Sequence, residues 1–103
     1  MGAPAVFALR LRAAREARGV SQKQLGILAG VDEFAASARI NQYERGKHMP
    51  DLHTVQRLAQ ALDVPQSYLF EPRDDLATLI RLAGHLPETR LRALITMLDD
   101  TDG

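Results

Sequence analysis

The sequence predicts an all-α fold, because of its composition, its hydrophobic spacing and the positions of its glycines and prolines. Leu and Ala dominate the 103 residues, and 46% of the chain is hydrophobic. Apolar residues recur three and four positions apart, which is typical of helices, and no alternation typical of strands occurs. Gly and Pro divide these stripes into seven segments. We therefore expect five helices in a first domain, residues 6–71, and two in an extension, residues 72–99.

The first two helices are predicted to be joined by a short capped turn. Gly19 is expected to end the first helix, since glycine is common just past a helix C-terminus. Ser21 and Gln24 then have the spacing of a capping box, in which each side chain satisfies a backbone amide of the other residue. Gly30 ends the second helix after about two turns. The stripes are Phe7, Leu11 and Ala14 in the first helix and Leu25, Leu28 and Ala29 in the second.

The next three helices are predicted from their caps. Asp32 is a good N-cap for a third helix that Gly46 ends, and Asp51 caps a fourth. Pro65 opens a short fifth helix that ends near Phe70. The stripe of the fourth helix is Leu52, Val55, Leu58, Ala59 and Leu62.

Two further stripes follow the boundary at residues 72–74, and they have two interpretations. They either cap the core of the first five helices or form a dimer interface. We expect a homodimer, because the first domain is complete near Phe70 without them. Gly84 ends the sixth helix, Pro87 suits the first position of the seventh, and the tail from Asp99 to Gly103 is expected to fray. The stripes are Leu76, Leu79, Ile80 and Ala83, then Leu91, Leu94, Ile95 and Leu98.

Charge is distributed unevenly along the chain, although its formal net charge is zero. Residues 1–60 hold nine Lys and Arg against five Asp and Glu, whereas residues 61–103 hold four against eight. A basic first half can meet phosphates while an acidic second half faces away.

Several spaced motifs resemble the phage repressor/Cro-type helix-turn-helix (xenobiotic-response-element-like) transcriptional regulators. The resemblance covers roughly Phe7 to Phe70. It implies a five-helix repressor-like domain whose second and third helices form the motif and whose third enters the major groove of double-stranded DNA. The matching residues are the runs from Arg15 to Leu25, from Leu28 to Val31, from Ile40 to Lys47, from Pro50 to Leu52 and from Leu58 to Leu62.

The third helix departs from the family pattern. Eight residues separate Val31 from Ile40, where aligned members have four, and four residues are about one helical turn. Either the helix begins a turn early, capped by Asp32, or the connection bulges and the helix starts near Ala35. We expect a start between Glu33 and Ala36. Gly26 also departs, since members usually carry Ala there, at the close crossing of the two helices.

The DNA-reading residues are predicted by counting from Ile40, which should face the core, at about 100° per residue. Gln42 can pair with adenine and Arg39 with guanine, and Ala38 can lie against a thymine methyl. Phe34 either packs on the inserted turn or touches the edge of the DNA. The base-reading candidates are Ala35, Ser37, Ala38, Arg39, Asn41 and Gln42. The phosphate candidates are Ser21, Gln22, Lys23, Arg45 and Lys47.

Arg15 and Glu44 are expected to form a structural ion pair between the first and third helices. Glu44 lies four residues after Ile40 and shares its inward side. The family pattern has the same pair.

Other classes of site are not expected. No nucleophile is paired with a base and no Gly-rich phosphate loop occurs, so we expect no catalytic residue, enzyme activity or cofactor. His48 and His53 lack a third ligand, so no metal is expected. No apolar run approaches the roughly 20 residues of a membrane span, and we expect a cytoplasmic protein without a small-molecule ligand.

Two functions fit these observations. The first is a sequence-specific regulator, a repressor that binds a two-fold operator as a dimer. The second is a protein-interaction module, such as an antitoxin or adaptor, that keeps the fold. The basic first half favours the regulator, whereas the inserted turn and zero net charge leave room for the module.

Overall fold

The fold is all-α in a computed structural model that describes residues 2–102, apart from the side chain of Asp102. No strand occurs within that range, so the predicted fold class is confirmed. The helices are α1 (Ala3–Arg18), α2 (Gln22–Leu28), α3 (Glu33–Glu44), α4 (Leu52–Leu62), a 3-10 helix (Gln66–Phe70), α5 (Asp74–Ala83) and α6 (Glu88–Asp102).

The three predicted N-caps are present. The Ser21 hydroxyl accepts from the Gln24 amide at 3.0 Å, and the Ser21 amide donates to the Gln24 side chain at 2.8 Å. The Asp51 carboxylate accepts from the Thr54 amide at 2.8 Å, which holds the pKa of Asp51 below its ordinary value. Asp32 caps α3 in the same way. These side chains fix where α2, α3 and α4 begin.

One core joins the first four helices, the 3-10 helix and α5. Its completely enclosed large side chains are Phe7, Leu11, Leu25, Ile40, Leu58 and Leu69. Ala77 of α5 belongs to the same core, and Ile80 packs against it half-buried. Helix α5 therefore completes the packing of the first domain on one of its faces.

Five details differ from the sequence predictions. Helix α1 begins earlier, with Pro4 in its first turn, where a missing N–H costs nothing. The fifth helix is a 3-10 helix. Leu28 and Leu52 were placed on buried stripes but are 60% and 65% exposed, since each lies at a helix end beyond the core. Pro87 precedes α6 instead of opening it.

The tail differs as well. The prediction that it frays from Asp99 is wrong up to Asp102, because α6 continues that far. The Thr101 hydroxyl donates to the Met97 carbonyl at 2.8 Å within its last turns. Gly103 lies outside the described residues.

Helix α6 is the least enclosed element. None of its side chains from residue 88 to 101 is buried. The molecule measures 52 × 29 × 23 Å along its principal axes.

Two groups of polar contacts connect α5 to the first domain. Arg10, buried on α1, donates to the carbonyls of Glu71 at 2.9 Å and Pro72 at 3.2 Å, and its guanidinium lies 3.0 Å from the Asp74 carboxylate. At the other end of α5, His85 lies 3.1 Å from the carboxylate of Asp63. In the first contact Arg10 is buried but Asp74 is exposed, and in the second both side chains are exposed to solvent.

Candidate nucleic-acid interface

Helices α2 and α3 cross closely around Gly26. A Cβ at position 26 would lie 2.6 Å from the Cβ of Ala36 and 3.0 Å from its carbonyl oxygen. Both residues are buried. Between the helices, Gly30 adopts a φ of 85°, which makes the tight turn possible. Gly26 thus allows the first turns of α3 to lie directly on α2.

Helix α3 begins a turn early, which is the first of the two alternatives that the sequence left open. Its first residue is Glu33, and the Asp32 carboxylate accepts from the Phe34 amide at 3.1 Å. The added residues extend the helix without a bulge, so Phe34 projects from the extra turn with 94% of its surface exposed.

The buried stripe of α3 is Ala36, Ile40 and Tyr43. On the opposite side Ser37, Ala38 and Arg39 are exposed. Ala35, Asn41 and Gln42 are half-buried, so Ala35 and Gln42 point less fully outward than the counting from Ile40 indicates. Helix α3 therefore presents a small, polar and partly basic face to solvent.

A bidentate ion pair holds α3 against α1. The Arg15 Nε lies 2.5 Å from Glu44 Oε2, and its Nη2 donates to Glu44 Oε1 at 3.1 Å. The carboxylate is 4% exposed and the guanidinium 15%. Arg15 also donates to the Val20 carbonyl at 3.0 Å. The hydrogen bond to the Glu44 side chain raises the pKa of Arg15, so the guanidinium remains charged.

Gln22 extends this cluster to the face of α3. Its amide nitrogen lies within hydrogen-bond distance of Glu44 Oε1 at 3.2 Å and of Asn41 Oδ1 at 3.3 Å. Sequence reasoning assigned Gln22 to a phosphate and Asn41 to a base, and it missed the bond between them. Since the Asn41 oxygen accepts from Gln22, its side-chain nitrogen remains available as a donor.

The remaining phosphate candidates flank this face. Ser21 and Lys23 are exposed at the start of α2, and Lys23 lies 3.9 Å from Glu33. Arg45 and Lys47 are exposed where α3 ends. Exposed basic side chains therefore lie near both ends of α3.

Neither a metal site nor a membrane-spanning helix is found in the part of the chain that the structure describes. Among the described residues no group of three His, Cys, Asp or Glu is arranged to hold a metal ion. Between residues 2 and 102 no helix is long and apolar enough to cross a membrane.

Comparisons with known proteins agree with this geometry. The family model described as a helix-turn-helix domain matches residues 6–69. The crystal structure of transcriptional regulator BswR is similar, with 47% sequence identity, a TM-score of 0.85, and coverage of 90% of this chain and 92% of that one. The restriction-modification controller protein C.AhdI from Aeromonas hydrophila is 36% identical, with a TM-score of 0.58 over 65% of this chain and 96% of that one. No curated protein matches the sequence significantly.

Proposed function

Since the chain belongs to the helix-turn-helix family of transcriptional regulators, we propose that it binds a specific DNA site by inserting α3 into the major groove. The observation that carries the proposal is the face of α3 opposite its buried stripe, bordered by exposed basic side chains. In this docking the N-terminal part of α3 contacts base edges, while the ends of α2 and α3 contact phosphates.

The residues have distinct roles in this proposal. Arg39 is long enough to contact guanine with two hydrogen bonds, and Gln42 can pair with adenine in the same way. Asn41, fixed by Gln22, offers its amide donors to a base acceptor. Lys47 and Arg45 neutralise phosphates and so raise affinity for any sequence.

We further propose that the protein is a repressor that binds a two-fold operator as a homodimer. Exposed apolar side chains on α5 and α6 support a dimer interface there. They are Leu79, Leu82, Ile95, Met97 and Leu98, each between 43% and 57% exposed. Residues 72–99 would then serve as the dimerisation extension of the domain at residues 6–71. The cytoplasm is the location that a chromosomal target requires.

The test is a gel-shift titration with random duplex DNA at low and moderate salt, followed by selection of a preferred site. Each phosphate neutralised by Lys or Arg should contribute roughly −0.9 to the slope of log affinity against log salt. Arg39→Ala and Gln42→Ala should each lose on the order of 1–3 kcal/mol of discrimination at the selected site. Lys47→Ala should instead weaken binding to all sequences alike.

Binding that is absent, or unchanged between the two salt concentrations, would contradict the regulator. The protein-interaction module with an acidic second half would then be the better account. If Arg39→Ala left binding to the selected site unaltered, the assignment of the DNA-facing side of α3 would be wrong.

A further inference from the structure

The extra N-terminal turn of α3 carries the most exposed large apolar side chain of the described residues. Phe34 is 94% exposed, whereas the other exposed apolar side chains range from 39% to 65%. Its backbone is well fixed, because its amide donates to Asp32 within the N-cap. The ring is therefore held out in water by an ordered helix, an arrangement that costs solvation free energy unless a partner covers it.

Its position on the helix indicates the partner. Phe34 precedes Ala38 by four residues and Ser37 by three, so it lies on the same side of α3 as the exposed residues of the DNA-facing side. It lies opposite the buried stripe, since Ala36 is two residues away, roughly 200° around the helix. The ring thus continues the face proposed for the major groove at the end of α3 that approaches base edges.

The charges around Phe34 distinguish a base from a phosphate. Asp32 and Glu33 precede it, and both are exposed. Lys23 lies 3.9 Å from Glu33 and balances only one of these carboxylates. An acidic turn is repelled by phosphates, so the charges of this turn do not attract it to the DNA backbone, and its apolar ring is the group suited to contact a base.

We propose that Phe34 is a base-contacting residue that recognises the C5-methyl group of a thymine in each half-site. The thymine methyl is the apolar group that the major groove presents, and an aromatic ring covers it without a hydrogen bond. The inserted turn is thereby a specificity element: it adds a methyl contact beyond the reach of Ser37 and Ala38. The inference rests on the proposed DNA-binding function.

The experiment uses the full chain and the duplex site selected by it. Phe34→Ala should bind that site about 10- to 100-fold more weakly per half-site, as expected for uncovering a large apolar side chain. Its affinity for random duplex DNA should stay within about two-fold, since phosphate contacts are unchanged. Leu28→Ala, which removes another exposed side chain on α2, is the matched control and should change neither affinity.

Replacing thymines by uracil one at a time identifies the methyl group. One position per half-site should cost the wild-type protein about four-fold, the value of one buried methyl. Phe34→Ala should be insensitive to uracil at that position and should respond normally elsewhere. Circular dichroism should show the same helix content for both proteins.

Four results would overturn the inference. If Phe34→Ala bound the selected site like wild type, or weakened all duplexes equally, Phe34 would not be a base-contacting residue even though DNA binding itself stood. The same holds if both proteins lost equal affinity at every uracil. If the wild-type protein bound no duplex, the proposed function would fail and this inference with it.

Discussion

The first domain and the α5–α6 pair of this protein differ in how completely they bury their apolar side chains. In the first domain Phe7, Leu11, Leu25 and Leu58 are wholly enclosed. In the α5–α6 pair, Ala77 lies in the core and Ile80 packs half-buried against it, while Leu82 and Ile95 are half exposed. The same hydrophobic periodicity therefore has two outcomes. A stripe in the first domain predicts burial within one chain, whereas a stripe in the pair predicts a surface that a second copy can cover.

The two regions also differ in how their polar contacts are made. The first domain holds α3 through an almost fully buried ion pair, Arg15–Glu44. Helices α5 and α6 are joined to the first domain by the buried Arg10 and by the solvent-exposed His85–Asp63 contact. Helix α3 should therefore be held firmly against α1, whereas no side chain of α6 from residue 88 to 101 is buried to fix its position.

The largest expected effect is the loss of the Arg15–Glu44 pair. Arg15→Ala leaves the Glu44 carboxylate buried without its main partner, which should cost about 3 kcal/mol of unfolding free energy, slightly less than a fully buried pair would lose because Arg15 is near the rim. DNA affinity should fall too, since α3 loses its attachment to α1. Chemical denaturation of both single variants and the double variant measures the coupling energy.

The exposed Arg12–Glu16 pair on α1 is the matched control. Its atoms are 3.1 Å apart, but both side chains are more than half exposed. Its loss should cost about 0–0.5 kcal/mol. Equal effects at the two pairs would mean that burial does not strengthen the attachment of α3.

The second prediction concerns the hydrogen bonds by which Arg10 connects the start of α5 to α1. Arg10→Met removes the donor of two carbonyls at residues 71 and 72 and should cost about 2 kcal/mol, as expected for unsatisfied buried groups. Amide exchange should accelerate in α5 and stay unchanged in α2 and α3. Arg73→Ala, which breaks an exposed contact with Asp75, should leave α5 protected. Faster amide exchange throughout the chain would mean that the Arg10 contacts stabilise the whole fold and not α5 alone.

The third prediction tests the close crossing of α2 and α3. Gly26→Ala gains about 1 kcal/mol of helix propensity but places a methyl 2.6 Å from Ala36. Overpacking costs about 1–3 kcal/mol, so the net loss should be about 1 kcal/mol. Adding Ala36→Gly should relieve the tightest contact but not those with the backbone of residue 36, whose Cα lies 2.9 Å away, so thermal melts should show a somewhat smaller loss than the two single changes sum to. A stabilised Gly26→Ala protein would contradict the crossing.

The smallest effect is expected at the cap of α4. The hydrogen bonds from Thr54 hold the pKa of Asp51 below its ordinary value. The folded state therefore binds this proton more weakly than the unfolded state, whose pKa is about 3.9. The stabilisation is complete above that value and is lost as the pH falls through the lower folded pKa. Asp51→Asn should flatten the decrease in melting temperature below about pH 4; an identical acid limb in the variant would contradict this.

The helix caps were predictable because each depends on residues close to it in sequence. Most of the core was predictable from the spacing of apolar residues. Ser21 and Gln24, Asp32 and Asp51 all have the predicted roles, since a cap needs only the next few amides. The exposure of Leu28 and Leu52 was not predictable from spacing, because a periodic stripe continues past the point where the opposing surface ends.

Contacts between distant residues were predictable only in part. The Gln22–Asn41 hydrogen bond and the placement of Arg10 under residues 71 and 72 depend on how helices distant in sequence meet. The reason for Gly26 appears only once Ala36 is seen against it. For Phe34 the sequence left two alternatives, packing on the inserted turn or contact with DNA, and its 94% exposure shows that it does not pack on that turn.

The central claim is that the first domain recognises one half-site and that the α5–α6 pair joins two such domains. The most direct measurement compares the affinity of the full chain for duplexes with one or two selected half-sites, beside a variant with Leu82→Glu and Ile95→Glu. The full chain should strongly prefer the two-site duplex, and the variant should bind both duplexes with the same lower affinity. A full chain that bound both duplexes equally well would contradict this claim.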